Sequence, residues 1–196
     1  MRKIVIAISG ATGATYGVRL LEVLSSLETI EVHLVISSWG EKTIALETNY
    51  TPNQVKKMAT FCHDFRNQGA VIASGSFGVD SMVIAPCSMK TVAAIAHGHA
   101  DNLIVRSADV MLKEKKRLIL VPRETPLNEI HLENMLKLTR AGIIIAPPMP
   151  AYYNSPSNLE DIVDHHVSRI LDLLNIDNKL TCRWDSSIKI ASGLEY

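Results

Sequence analysis

The stretch Ile4–Val5–Ile6–Ala7–Ile8–Ser9–Gly10–Ala11–Thr12–Gly13–Ala14–Thr15–Tyr16–Gly17 decides the fold. Five apolar residues break at once into a turn rich in Gly, Ser and Thr. Val18, Leu21, Leu24 and Leu27 then recur at helical spacing. That is a strand, a tight turn and a helix, the opening unit of a βαβ protein. A glycine turn lets backbone N–H groups approach an anion, and the helix N-terminus behind it favours negative charge. A phosphate-binding βα turn is one reading; a tight turn into a close-packed helix is the other. A dinucleotide fingerprint would need G-x-G-x-x-G and an acid closing the second strand. Here the glycines fall at 10, 13 and 17, and the second strand ends in Ser37–Ser38. No Gly-Lys-Ser/Thr triplet marks a P-loop.

Outward from this unit, strand and helix patterns alternate. Ile30–Ile36 reads as a strand, and Ser38 with Glu41 as a capping box for a helix from Trp39 to about Thr48. Thr51–Gln54 is a second capping box, with Pro52 at the first helical position. Val71–Ile72–Ala73 suggests a short strand in a turn-rich region. Met82–Ala85 reads as a buried strand stopped by Pro86, and Ser88 opens a helix to Ala96. A helix from about Asn102 to Lys115, a strand Arg117–Val121 and a helix Pro126–Arg140 closed by Gly142 follow. Ile143–Ala146 is the last strand, and Asn158 caps a final helix to about Leu174, with Leu159, Ile162, Val163, Val167, Ile170, Leu171 and Leu174 as its core stripe. The tail 175–196 shows no period. The expected architecture is α/β: one Rossmann-like, doubly wound domain over 1–196, its mostly parallel sheet covered by helices on both faces.

Composition narrows the function. Among 196 residues, 20 basic and 20 acidic side chains cancel, which gives no sign of a nucleic-acid or anionic-membrane partner. The N-terminal apolar run reads as a strand, not a signal peptide. Cys62, Cys87 and Cys182 are far apart and odd in number, as in a reduced cytoplasmic protein.

In such folds ligands bind outside the carboxyl ends of the strands. Those ends hold Gly10–Thr12, Ser37, Pro86–Thr91, Pro122–Pro126 and Pro147–Tyr153. Ser88 and Thr91 are either a plain helix cap or, with Lys90, an anion site. Arg123–Glu124, between two prolines, is either a surface turn or a held functional pair. Met149, Tyr152 and Tyr153 suit packing or an aromatic wall beside a ligand. Arg106 and Lys113 lie two turns apart on one helix face, with Asp109 placed to pair with Lys113. Arg169 lies on the flank of its helix stripe. His97/His99 and His165/His166 lack metal-site spacing, so no metal is expected. Cys87, with no nearby His, reads as a small packed residue.

Six segments in order resemble the UbiX-type flavin prenyltransferases: G-A-T-G-A at 10–14, A-S-G-S-F at 73–77, A-P-C-S-M-K-T at 85–91, D-N-L-I-V-R-S-A-D-V-M-L-K-E at 101–114, P-R-E-T-P-L at 122–127 and P-A-Y-Y at 150–153. The resemblance implies a metal-independent homo-oligomer, commonly a dodecamer, that binds FMN at subunit interfaces. It implies transfer of a dimethylallyl group from dimethylallyl monophosphate to N5 and C6 of reduced FMN, the prenylated FMN then serving a UbiD-type decarboxylase. By position, Gly10, Ala11, Thr12, Ser37, Ser88, Met89, Lys90, Thr91 and Arg123 would hold FMN. Tyr153 and Arg169 would hold the prenyl phosphate, with Arg106 and Lys113 helping from neighbouring chains and Trp184 beside the prenyl group. Glu124 would be the acid–base residue, supported by Glu47.

Three other activities compete. One is an FMN-dependent cysteine decarboxylase of the phosphopantothenoylcysteine type, but P-C-S-M-K-T stands here where that family carries P-A-S-A-N-T. Another is a non-catalytic FMN carrier, which would not need the cations Arg106, Lys113 and Arg169. The third is direct decarboxylation of phenolic acids, for which the sequence offers no carboxylate-activating set.

Overall fold

The structure is a computed structural model that describes residues 1–184; the end of the tail, 185–196, lies outside the described residues. Among the described residues six parallel strands form one sheet: β1 Arg2–Ile8, β2 Ile30–Ile36, β3 Phe61–His63, β4 Ser81–Cys87, β5 Arg117–Pro122 and β6 Ile144–Ile145. Their spatial order is β3-β2-β1-β4-β5-β6, with Ile4 opposite Val32 on one side and Ser81 on the other. The order reverses between β1 and β4, so the crevice of a doubly wound fold lies at their carboxyl ends.

The helices are α1 Ala14–Ser25, α2 Ser38–Glu47, α3 Pro52–Met58, α4 Met89–Ala96, α5 Leu103–Lys113, α6 Glu129–Arg140 and α7 Leu159–Leu173. Ile4 to Ile8 are all fully buried, as a central strand covered on both faces requires. Val5, Ala7, Met82, Ile84, Leu118 and Leu120 pack with Val92, Ile95, Leu103 and Ala108 of α4 and α5. Alternation sends Ile4, Ile6 and Ile8 to the opposite face, where α1 crosses β1, β2 and β4. Gly17 allows that crossing: a Cβ there would run into the Ala85 carbonyl oxygen and lie 3.1 Å from Ile8 Cγ1.

Several local expectations differ in the structure. The cap of α2 is Ser37, whose hydroxyl accepts from Gly40 N, rather than Ser38. Thr51 with Gln54 does form the expected capping box. Val71–Ala73 is a 3-10 turn, not a strand, and the strand of that region is Phe61–His63 at the sheet edge. The helix expected from Pro126 starts at Glu129, because Asn128 supplies the cap by accepting from His131 N. At the other end Gly142, at φ +88°, follows the helix as expected.

The chain divides into two compact units, Met1–Pro148 and a second beginning at Met149. The second unit is built on α7, capped by Asn158, which accepts from Asp161 N. Its buried side is Val167, Ile170, Leu171 and Leu174, joined by His165, His166 and Ser168. Leu159, expected in the stripe, is instead 76% exposed.

Candidate active site

The carboxyl ends of β1 and β4 are tied together by one side chain. Ser9, buried, donates its hydroxyl to the Pro86 carbonyl at 2.9 Å and accepts from Ser88 N at 2.8 Å. The chain then turns through Gly10 to Gly13, which takes a left-handed φ of 101° as N-cap of α1 with no side chain to cap the helix. The missing cap comes from α2: Glu47 Oε2 accepts from Gly13 N and Ala14 N, both at 2.8 Å. A carboxylate thus fills the helix end where a dinucleotide fold seats its phosphate. The anion-binding part of the opening unit is therefore not the α1 terminus, which modifies the reading of this turn as a phosphate cradle.

Beside the turn lies a cavity of about 360 Å³. Gly10, Ser37, Ser88, Lys90 and Thr91 line it, five of the nine positions expected to hold FMN. Two helices start at its wall. Ser37 caps α2, and Ser88 caps α4 by accepting from Thr91 N at 3.3 Å, its hydroxyl also bonding Thr91 Oγ1 at 3.0 Å. Two helix N-termini give the cavity a positive partial charge without any side chain. Ser9 and Ser38 add two more hydroxyl-bearing residues, and the rest of the wall is apolar and amide: Trp39, Phe65, Ala94, Ile104, Val105 and Asn102. Gly10 stands where it does because a Cβ would collide with Trp39 Cβ. These features suit a flat ring carrying a phosphate. Trp39 and Phe65 are not singled out by the sequence, and Asn102, Ile104 and Val105 enter it only within the 101–114 segment, with no site role assigned to them.

The other FMN candidates stand apart from that lining. Ala11 N donates to Ser9 O at 3.0 Å, Thr12 is exposed, and Met89 packs half-buried against the core. Arg123 N donates to the Cys87 carbonyl at 3.3 Å, which anchors the turn after β5, while its side chain is exposed. Glu124 beside it is also exposed, and its carboxylate accepts from Thr125 N at 3.0 Å. Cys87 is fully buried, and burial pushes its thiol far above the ordinary range, so it is the packed residue expected. On α5 Arg106 takes Asp109 as partner at 2.7 Å, whereas Lys113 pairs with Glu114; the expected Asp109–Lys113 pair is not made. Gly75 of the A-S-G-S-F segment abuts that Lys113–Glu114 pair.

The second unit holds a cavity of about 300 Å³, and it brings together Tyr153, Arg169 and Trp184. Tyr153 stacks edge-to-face on Trp184 at 5.1 Å between centroids. Its hydroxyl meets His165 Nε2 at 2.9 Å. Burial, then the charge of Arg169, lowers the His165 pKa, so the ring is neutral near pH 7. Arg169 and Arg183 both pair with Asp172. Hydrogen bonds from Arg183 are the largest cause holding the Asp172 carboxyl below its usual range. One wall is thus cationic and the other aromatic. His165, Asp172 and Arg183 were not singled out as site residues in the sequence; the aperiodic tail hid Arg183. Among the described residues no group of three or more His, Cys, Asp or Glu comes together as a metal site.

Comparison with known proteins decides the family. A family model described as Flavoprotein matches residues 1–172. A probable UbiX-like flavin prenyltransferase of Streptomyces sp. (strain D7) is 53% identical over 182 residues, covering 93% of this chain and 91% of its own. The chain belongs to the UbiX-like flavin prenyltransferases. Two solved structures agree with this family's fold. AnUbiX (PadA1), in complex with FMN and dimethylallyl pyrophosphate, superposes with a TM-score of 0.92 at 51% identity, covering 94% of this chain and 98% of that one. The dodecameric FMN-dependent UbiX-like decarboxylase from Escherichia coli O157:H7 gives 0.93 at 49% identity, covering 94% and 100%.

Proposed function

We propose that this chain is a flavin prenyltransferase that moves a dimethylallyl group from dimethylallyl monophosphate to N5 and C6 of reduced FMN. The observation that carries the reading is the presence, in one chain, of the helix-framed cavity and of the cavity shared by Tyr153, Arg169 and Trp184. FMN fits the first on chemical grounds: Trp39, Phe65 and Ile104 suit its ring, and the α2 and α4 termini suit its phosphate. Gly10, Ala11, Thr12, Ser37, Ser88, Met89, Lys90, Thr91 and Arg123 are the proposed holding set.

Reduced FMN supplies the nucleophilic atoms that take the dimethylallyl carbons. The chain's own groups do the rest. As the allylic C–O bond breaks, its electron pair leaves with the phosphate, and Arg169 offsets the growing charge without a metal. Tyr153 donates a hydrogen bond to the same phosphate, its hydroxyl oriented by His165. Arg106 and Lys113 add positive charge from neighbouring copies. The Trp184 ring faces the allyl group, whose positive charge a π face favours. The bond to N5 displaces the N5 proton; the bond to C6 requires a proton to be added to the allyl double bond and one to be lost from C6, and Glu124 serves as the acid–base residue for that exchange, with Glu47 as a second carboxylate.

The whole chain is proposed to act as one functional unit in a homo-oligomer, a dodecamer by analogy with the E. coli relative. Support comes from Leu132 and Leu136, one turn apart on α6 and both at least 50% exposed, apolar surface that water does not favour. The proposed product recipient is a UbiD-type decarboxylase. A cytoplasmic setting is proposed from the free cysteines; no helix among the described residues is long and apolar enough to cross a membrane. The cysteine decarboxylase alternative is disfavoured, since relatives at about half identity carry the prenyltransferase name. The test is anaerobic incubation of the protein, reduced FMN and dimethylallyl monophosphate, with the flavin mass as readout.

A further inference from the structure

Two arginines of the second cavity meet on one carboxylate. Asp172 Oδ2 accepts from Arg169 and, at 3.0 Å, from Arg183, while Oδ1 accepts a second Arg183 N–H at 2.6 Å. Oδ1 also accepts from Asn178 Nδ2 at 3.2 Å, and Asn178 is fixed in turn by the hydroxyl of buried Ser168 on α7 at 2.7 Å. A segment without any sequence period is thereby held to α7 by polar bonds. Its last described residue, Trp184, is the ring that meets Tyr153.

The exposures order these charges. The Asp172 side chain is 18% exposed, against 57% for Arg169 and 51% for Arg183, so the carboxylate sits inside and the cations outside. Two guanidinium groups this close repel each other, and a shared carboxylate offsets that repulsion. Each guanidinium carries five N–H donors. Arg169 gives Asp172 one and Arg183 gives it two, which leaves donors on both for another anion. With His165 neutral, two cations and one carboxylate leave the cavity with one net positive charge.

We propose that Arg183 is a second guanidinium ligand for the anionic end of the prenyl donor, and that Asp172 is the positioning residue that holds Arg183 beside Arg169. This rests on the reading of that cavity as the prenyl-phosphate site. A pair of guanidinium groups grips a terminal phosphate from two sides, and each charge-assisted bond is geometrically selective.

The experiment uses the full-length enzyme with reduced FMN. It measures KM for dimethylallyl monophosphate, the inhibition constant of inorganic phosphate and FMN affinity, in Arg183→Ala, Asp172→Asn, their double variant and Arg169→Ala. Arg183→Ala raises the donor KM and the phosphate inhibition constant by about tenfold or more, with FMN affinity unchanged. Asp172→Asn raises the same two constants, and most of its effect disappears in the Arg183→Ala background, because only Arg169 is then left for the carboxylate to hold. Unchanged constants in Arg183→Ala, or an Asp172→Asn effect that persists in full without Arg183, overturn the proposal. If Arg169→Ala raises both constants while Arg183→Ala does not, only this proposal falls. If neither does, the phosphate reading of the cavity falls with it.

Discussion

Replacing Glu47 with Ala removes a contact that spans 34 positions of sequence and joins α2 to the first turn of α1. The carboxylate accepts two backbone N–H groups at 2.8 Å each, at a helix whose own N-cap, Gly13, offers no side chain. Loss of an N-cap side chain costs about 1 kcal/mol, with a range of roughly 0.5–2. The charge at the positive end of the helix adds about 0.3–1 kcal/mol. Because Glu47 is exposed, water replaces part of what is lost, so about 1–2 kcal/mol is the expected net effect. For a chain of this size each kcal/mol shifts Tm by about 2–4 °C, so Glu47→Ala should melt about 2–8 °C lower. Differential scanning calorimetry or circular dichroism melting reads this directly. Glu47→Gln keeps one acceptor oxygen and should lose about half as much. A Glu47→Ala protein that melts with the wild type refutes the capping argument. The Gln variant also separates the two roles of this residue: a further large loss of turnover in a protein that is nearly as stable would come from the lost charge at the reaction, not from α1.

Gly17→Ala drives a Cβ into the Ala85 carbonyl oxygen; overpacking of about 1–3 kcal/mol exceeds the gain of about 1 kcal/mol in helix propensity, so urea unfolding should show a net loss, and a more stable variant would contradict the close crossing of α1 over β4. Burial, then the neighbouring His165, lowers the His166 pKa from 6.5 to about 4. The folded state therefore binds fewer protons than the unfolded chain between those values, so stability falls as pH drops from about 6.5 towards 4 and levels off below; His166→Gln should flatten that part of the stability–pH curve, and an unchanged slope would count against it. Glu124→Gln should leave FMN titration unchanged while lowering the rate of prenylated flavin formation by about 100-fold or more; full activity would remove Glu124 from the chemistry.

What the sequence revealed of the fold follows the range of the forces involved. The β1–turn–α1 unit and the caps Ser88, Asn102 and Asn158 are local: a hydroxyl or amide three residues before its N–H partner leaves a legible pattern. The Ser38 cap was misplaced by one residue because Ser37 and Ser38 carry the same chemistry, and only the strand's end selects Ser37. The edge strand Phe61–His63 is too short to alternate, and the apolar run Val71–Ala73 mimics a strand while folding as a 3-10 turn. Non-local contacts were the ones missed. Glu47 reaching Gly13, Ser9 tying Pro86 to Ser88, and the Asp172 cluster holding the tail all depend on elements meeting in space. The candidate site divides in the same way. Residues carried by motifs, such as Ser88, Thr91 and Tyr153, line the two cavities. The apolar wall residues Trp39 and Phe65 come from segments with no motif of their own.

The most direct measurement of the central claim is the mass of the flavin released after anaerobic incubation of the protein with reduced FMN and dimethylallyl monophosphate, with dimethylallyl pyrophosphate as a parallel arm. The account predicts flavin heavier by one dimethylallyl unit in place of a proton, release of inorganic phosphate in equal amount, and faster turnover with the monophosphate. Unmodified flavin in both arms, with FMN bound and reduced, would contradict it, as would decarboxylation of a phenolic acid by this chain alone.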